Sequence, residues 1–155
     1  MADSAQKQLS GFMAKYDPKV AKLGRDLFNR MQARLPGAVS MVYDNYNALA
    51  IGFGPEEKVK KTPLSIALYP RWTNLFFLMG AALPDPHHLL KGEGAIVRSI
   101  RIDSIEQLDD PRIDTLITAA VMHIGWRLDP TAKNRLVIKS ISANQRPRRP
   151  KPQGT

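Results

Sequence analysis

The sequence contains no cysteine among its 155 residues. This absence excludes disulfide bonds, thiolate nucleophiles and cysteine-ligated zinc or iron–sulfur sites. The chain also has no apolar run near the ~20 residues that a membrane-spanning helix requires, and its N-terminus has no hydrophobic segment typical of a signal peptide. We therefore expect a soluble, cytoplasmic protein without membrane contacts, whose length suits one domain with a buried core.

Catalytic and cofactor-binding motifs are absent as well. There is no GxSxG segment and no serine–histidine–aspartate pattern, and Asp109-Asp110 fits a helix cap better than a carboxylate pair. The segment 91–94 (KGEG) leads from a turn into a strand, whereas phosphate-binding glycine loops lead from a strand into a helix. We therefore predict no cofactor, and binding in place of catalysis.

Histidine is scarce, which limits any metal site. His87 and His88 are neighbours, so both imidazoles cannot face the same side of a turn, and His123 lies in a separate predicted helix. Asp85 is the carboxylate closest to the pair in sequence. We predict no metal site.

Negative charge is missing from the C-terminal end. Residues 133–155 contain seven basic and no acidic residues, whereas the other 132 residues contain 16 basic and 14 acidic ones. The sequence therefore predicts a globular domain over residues 1–130 and a basic extension over residues 131–155, the last ten residues being disordered. Such a tail can contact nucleic-acid phosphates. The residues predicted for that contact are Arg146, Arg148, Arg149 and Lys151.

Hydrophobic periodicity predicts helices at both ends of the domain and strands between them. Apolar residues within 9–16 and 20–35 recur at helical spacing, and an Asp-Pro pair at residues 17–18 restarts the helix. Another Asp-Pro pair at residues 110–111 begins a further helix. The predicted strands are 39–44, 48–53, 64–69, 74–79 and 95–102, residues 85–92 form a helical turn, and 135–142 is either a last strand or an extended arm.

This order of elements predicts an α+β fold in two layers. Four to five mostly antiparallel strands form the sheet, and the helices pack on one of its faces. The edge strands of such a small sheet could pair between two copies, so a homodimer is a further expectation.

Several short motifs carry a family resemblance. They are Leu35-Pro36-Gly37-Ala38, Tyr43-Asp44-Asn45-Tyr46, Leu68-Tyr69-Pro70-Arg71, Leu83-Pro84-Asp85-Pro86-His87, and Lys91-Gly92-Glu93-Gly94 before Val97-Arg98. These motifs resemble the YdhG-like domain family of bacteria, a domain of unknown function. The resemblance spans roughly residues 9–126 and implies a two-layer α+β sandwich. Some relatives are described as frataxin-like iron chaperones, a role that requires an acidic ridge, but the first long helix here carries Asp17 and Asp26 against five or six basic residues.

Aromatic and cationic residues are concentrated at the predicted strand ends and turns, where sheets commonly present binding surfaces. If the strand ends converge, these side chains frame an aromatic pocket with positive charge, suited to a carboxylate or phosphate. Such a domain binds a small anionic ligand or a protein partner. The alternative is that the tyrosines are half-buried sheet residues and the cations are solvated. The predicted ligand-binding residues are Tyr43, Tyr46, Tyr69, Arg71, Lys91 and Arg98, with Trp72 beside them.

Two further functions stay open at this point. Nucleic-acid association through the basic tail predicts that removal of the residues after Asn144 abolishes binding, and that affinity falls steeply with salt. Iron handling predicts that Fe(II) changes the absorption spectrum or the melting temperature.

Overall fold

The structure is a computed structural model that describes residues 2–150. It contains three α-helices, six β-strands and three short 3₁₀ helices within that range. The 3₁₀ helices are Val59–Lys61, Gly80–Ala82 and Ile105–Asp109. The main elements are α1 (Ala2–Ala14), α2 (Pro18–Arg34), β1 (Val39–Asp44), β2 (Leu49–Gly54), β3 (Leu64–Leu68), β4 (Thr73–Phe77), β5 (Arg98–Ile102), α3 (Pro111–His123) and β6 (Arg135–Ile141).

Both predicted Asp-Pro helix starts are present. The Asp17 carboxylate accepts a hydrogen bond from the Lys19 backbone N–H at 3.4 Å, and proline occupies the first turn of α2. Asp110 caps α3 in the same way, at 2.9 Å from the Arg112 backbone nitrogen. Each carboxylate accepts a hydrogen bond from a backbone N–H that has no partner inside its helix. Proline has no backbone N–H, so it needs no acceptor at the first turn. Within residues 2–150, no helix combines the length and apolarity needed to cross a membrane.

The sheet has six strands in the order β5-β4-β3-β2-β1-β6. Strands β1 to β5 pair antiparallel with their neighbours, whereas β6 pairs parallel with β1. The α+β class is therefore confirmed, while the strand count of four to five and the prediction of 85–92 as a helical turn differ from the structure. In that segment the chain forms a hydrogen-bonded turn. The Asp85 carboxylate accepts hydrogen bonds from the backbone N–H groups of Leu89 and Leu90, at 2.9 Å each.

One face of the sheet packs on the helices. Ile51, Ile66, Leu75 and Ile100 are paired in register across β2 to β5 and share one core cluster with the apolar faces of all three helices. Each such side chain contributes about 1.5–3 kcal/mol when it is fully buried. Because strand side chains alternate between faces, the intervening residues lie on the opposite face of the sheet.

The C-terminal part of the chain belongs to the sheet. Strand β6 adds the sixth strand, so the predicted boundary between residues 130 and 131 falls inside the structural unit. The C-terminal segment (residues 142–150) then contacts the turn that follows β1: the Ser142 N–H donates to Asp44 O at 2.8 Å and the Arg146 N–H to Tyr46 O at 2.9 Å. Residues 146–150, predicted to be disordered, are thus held against the domain, and residues 151–155 lie outside the described range.

The predicted homodimer contact at a strand edge stays a prediction. The two edges of the sheet are β5 and β6.

Candidate functional site

Two tight turns and the C-terminal segment meet at one end of the sheet. The β1–β2 turn is closed by a hydrogen bond from the Asn45 N–H to Ala48 O at 3.0 Å, and the β3–β4 turn by one from the Tyr69 N–H to Trp72 O at 2.9 Å. Leu49 pairs with Leu68, so both turns lie at the same end. Parallel pairing brings the C-terminal end of β6 beside the end of β1 and carries the chain to this end as well.

The six predicted ligand-binding residues do not form one group. Tyr46, Tyr69 and Arg71 lie on the two turns and line cavities there. Arg98 pairs with Phe77 at the other end of β4, which lies about 14 Å away along the strand.

Lys91 and Tyr43 also lie apart from these cavities. Lys91 forms an isolated antiparallel bridge with Ser99 outside β5. Tyr43 pairs with Ala50 on the open face of the sheet and does not line either cavity. The prediction of one converging set is therefore met by only three of its six residues.

The larger of the two cavities, here named the sheet cavity, has a volume of about 580 Å³. Its floor is the open face of the sheet, and its walls are the β1–β2 turn, Tyr69 and the C-terminal segment. Its lining residues are Asn45, Tyr46, Asn47, Ala48, Ala50, Ser65, Ala67, Tyr69, Phe76, Leu78 and Ser142.

The second cavity, here named the arginine cavity, adjoins the first. It has a volume of about 530 Å³ and shares Asn47 and Tyr69 with the sheet cavity. Both volumes fall within the range of about 300–1,000 Å³ that is usual for small-molecule sites. Its lining residues are Asn47, Tyr69, Pro70, Arg71, Trp72, Arg146 and Pro147.

The aromatic wall between the cavities is ordered by ring contacts. The rings of Tyr69 and Trp72 stack with centroids 5.1 Å apart, and the Arg101 guanidinium lies 5.6 Å from the Trp72 ring. Burial raises the pKa of Tyr69, because removal of water disfavours the phenolate. The Tyr69 hydroxyl therefore stays protonated at neutral pH and can donate a hydrogen bond.

The charges of the site are positive and uncompensated. Within residues 4–150, the guanidinium groups of Arg71 and Arg146 have neither a salt bridge nor a hydrogen-bond acceptor, although both line the arginine cavity. Neighbouring Arg101, by contrast, is paired with Asp103 at 3.2 Å. None of the described residues that line the two cavities is Asp or Glu. Two arginines without counterions in an acid-free cavity provide the positive charge and the planar donors that a carboxylate or phosphate requires.

Arg148 holds the C-terminal segment in place and was not predicted to do so. It is 5% exposed, and its guanidinium donates to Asp44 Oδ1 at 2.9 Å, to Tyr46 O at 3.3 Å and to Asn45 O. The guanidinium carbon also lies 5.7 Å from the Tyr16 ring. Asp44 is itself fully buried. This buried ion pair ties the C-terminal segment to the β1–β2 turn and so positions Arg146 in the arginine cavity.

The predicted nucleic-acid residues of the tail have different surroundings. Arg146 lines a cavity, Arg148 is buried, and Arg149 donates to Lys15 O at 3.1 Å. Lys151 lies outside the described residues. Three of the four therefore contact the domain.

Comparisons of the chain with family models, curated proteins and solved structures find no match. The resemblance to YdhG-like domains consequently stays a prediction.

A third cavity, of about 270 Å³, lies between the segment 84–89 and the start of α3. Its lining is mainly apolar, and its one arginine, Arg112, is paired with Asp110 at 2.7 Å. The hydrogen bonds from Arg112 hold the pKa of the Asp110 carboxyl below its ordinary value. Because Asp110 compensates the charge of Arg112, the third cavity has less uncompensated positive charge from arginine than the arginine cavity.

No three of the His, Cys, Asp and Glu residues in the described part of the chain lie close enough together to hold a metal ion. The iron-chaperone interpretation therefore has no supporting observation here.

Proposed function

We propose that this protein is a binding module for a small anionic ligand, which it holds in the sheet and arginine cavities. The observation that carries the proposal is the pair Arg71 and Arg146, which line one cavity without any acidic partner among residues 4–150. Both guanidinium groups are exposed and have no salt-bridge partner within residues 4–150, and a carboxylate or phosphate can satisfy their planar donors bidentately.

The two arginines come from distant parts of the sequence and reach the site independently. Arg71 occupies the tight β3–β4 turn, while Arg146 is held by its own backbone bond to Tyr46 O and by the Arg148–Asp44 pair two residues later. The backbone at both arginines is therefore held in place before a ligand arrives, and only the exposed side chains have to be ordered on binding.

Thermal shift measurements test the proposal. We expect phosphate, pyrophosphate, citrate or AMP to raise the melting temperature, by about 3–5 °C at ten times the Kd, because a ligand that binds only the folded state stabilises it. In the double variant Arg71→Gln/Arg146→Gln most of this shift disappears.

A control with the same net charge separates a site from general charge attraction. The double variant Arg25→Gln/Lys133→Gln removes two exposed cations that line neither cavity and have no salt bridge in residues 4–150. It should keep the full shift. An equal loss in both double variants, or no shift with any anion, contradicts the proposal.

Nucleic-acid association through the tail is the second candidate, and one observation favours it. Arg146 is free of intramolecular side-chain bonds within the described residues and faces a cavity walled by Tyr69 and Trp72. This observation supports a nucleic-acid contact that overlaps the proposed anion site, in place of one on a detached extension.

A further inference from the structure

The floor of the sheet cavity is made of small side chains. Ala50, Ser65 and Ala67 lie on the open face of two neighbouring strands, and Ala50 is paired directly with Ala67. Phe76 and Leu78 close one side. A sheet face lined by alanine and serine leaves a shallow slot above it, which suits a planar ring better than a branched chain.

Two tyrosine rings line this slot, and Tyr46 is the one without a stacking partner within residues 4–150. Tyr46 is 52% exposed and has no aromatic partner in the described chain, and Tyr69 lines both cavities. Trp72, by contrast, already contacts Tyr69 on one side and the Arg101 guanidinium. Exposed tyrosine rings that are held by a turn stack on planar heterocycles with little loss of side-chain freedom.

The β1–β2 turn adds polar groups that can recognise the edge of such a ring. Asn45 and Asn47 line the sheet cavity, and the structure of residues 4–150 gives neither side-chain amide a hydrogen-bond partner. An amide carries both donors and an acceptor, which matches the mixed donor and acceptor edges of nucleobases.

The two arginines lie next to this slot, where they can bind the phosphate of a ligand whose ring occupies it. Asn47 and Tyr69 belong to both cavities, so a ring in the sheet cavity is adjacent to Arg71 and Arg146 in the arginine cavity. We infer that the ligand is a nucleoside phosphate, with its base in the sheet cavity and its phosphate in the arginine cavity. This inference rests on the proposed anion-binding function and specifies its ligand class.

Simpler ligands fit fewer of these features. A small inorganic anion satisfies the arginines but leaves the sheet cavity and its two amides unused. A nucleoside without phosphate uses the sheet cavity but leaves Arg71 and Arg146 without a counterion. A nucleoside phosphate uses both cavities.

Isothermal titration calorimetry at one fixed salt concentration tests the inference, with AMP, GMP, UMP, adenosine, ribose 5-phosphate and inorganic phosphate as probes. We expect at least one nucleoside monophosphate to bind about tenfold or more tightly than both ribose 5-phosphate and adenosine, because stacking and phosphate contacts add.

Two variants assign the parts of the ligand to the cavities. Tyr46→Ala should weaken nucleotide binding about tenfold and leave the affinity for ribose 5-phosphate unchanged. Arg146→Gln should weaken both phosphate ligands and leave the weak adenosine binding unchanged. Tyr43→Leu is the matched control for Tyr46→Ala. Tyr43 lies on the sheet face that forms the floor of the sheet cavity, but it lines neither cavity.

The outcomes separate this inference from the proposed function. If ribose 5-phosphate or inorganic phosphate binds as tightly as every nucleotide, and Tyr46→Ala has no effect, the nucleotide inference is wrong while anion binding stands. If no phosphate ligand binds, both fail. A loss of nucleotide binding in Tyr43→Leu equal to that in Tyr46→Ala also overturns the assignment to the sheet cavity.

The source of the nucleoside phosphate is decided by one more probe. If a single-stranded octanucleotide binds much more tightly than its mononucleotide, and its affinity falls steeply with salt, the nucleoside phosphate belongs to a single-stranded nucleic acid. Equal or weaker binding of the octanucleotide supports a free nucleotide.

Discussion

Arg148 shows how one residue can have a role opposite to the one that its sequence neighbours indicate. It lies in a run of arginines and prolines that is typical of disorder, yet its side chain is buried and bonded to Asp44 and to two carbonyl groups. The pairing costs desolvation of both ions, and that cost is offset only while both partners are present. The Arg148–Asp44 pair therefore behaves as a unit.

The first prediction concerns this pair. Arg148→Met leaves the buried Asp44 with Lys15, whose Nζ lies 3.5 Å from Asp44 Oδ2, as its remaining cationic partner, and should lower the free energy of unfolding by about 3 kcal/mol. The double variant Arg148→Met/Asp44→Leu removes both charges and should be destabilised by less than the sum of the single substitutions Arg148→Met and Asp44→Leu. Urea denaturation of the four proteins measures the coupling, and strict additivity would show that the two side chains do not interact.

The second prediction concerns Tyr16. Its hydroxyl donates to Leu68 O at 2.9 Å and accepts from the Leu49 N–H at 3.0 Å, in a fully buried position. Burial raises the pKa of Tyr16 to about 12, above the value near 10 of an exposed tyrosine, and Arg148 opposes part of the rise.

The sign of the pH dependence follows from this rise. The folded state holds the phenol proton more tightly than the unfolded state, so the stabilisation is complete below pH 10 and is lost as the pH rises toward 12. The loss amounts to about 3 kcal/mol. Chemical denaturation between pH 9 and 12 should show this extra loss in the parent protein and not in Tyr16→Phe. Parallel curves for the two proteins would contradict the prediction.

At the scale of elements, helix α2 contacts the sheet closely at a glycine, Gly24. Gly24 lies in the middle of α2, and a Cβ atom there would meet Leu68 Cδ2 at 2.5 Å. Leu68 is fully buried and cannot move away freely. The glycine is thus needed for close approach of helix and strand, although it weakens the helix as such.

The third prediction compares two glycine-to-alanine substitutions. Alanine adds about 1 kcal/mol of helix propensity at either position. At Gly24 the overpacking cost of about 1–3 kcal/mol outweighs this gain, so Gly24→Ala should destabilise the protein. Gly11 in α1 is exposed and a Cβ there would meet no atom within 4 Å, so Gly11→Ala should stabilise it. The melting temperature should fall for Gly24→Ala and rise for Gly11→Ala. A rise for both variants would show that the Leu68 side chain moves to make room for the added Cβ.

At the scale of the whole molecule, the chain closes on itself through β6. The strand lies beside β1, and its residues Leu136 and Ile138 pack against the core formed by the preceding helices and strands. The basic end of the chain is therefore part of the folded body up to residue 150.

The fourth prediction uses two truncated chains. A chain that ends at Asn144 keeps β6 but loses Arg146 and the Arg148–Asp44 pair, so it should fold, melt at a lower temperature and lose the anion-induced shift. A chain that ends at Pro130 lacks β6, exposes one edge of β1 and should aggregate or fail to unfold cooperatively. Circular dichroism and thermal melts distinguish the two cases. Equal stability of the chain ending at Pro130 and the full chain would contradict the assignment of β6 to the domain.

Local signals in the sequence were enough for most of the fold. The Asp-Pro pairs before α2 and α3, and the alternation in residues 64–68, predicted these elements because caps and periodicity act within a few residues. For the site, Tyr46, Tyr69 and Arg71 were predicted from their positions in turns. They converge because antiparallel hairpins place those turns at one end of the sheet.

Tertiary structure alone decided the place of the C-terminal part. Pairing of β6 with β1 depends on a crossover through most of the chain, which no local pattern encodes. The same pairing brings Arg148 to Asp44 and Arg146 to Arg71, while β4 separates Arg98 from them by its length. The sequence by itself thus determined the helices, the hairpins and the excess of positive charge. Long-range strand pairing decided which cations are buried and which line the arginine cavity, because only the folded sheet sets the distance between residues remote in sequence.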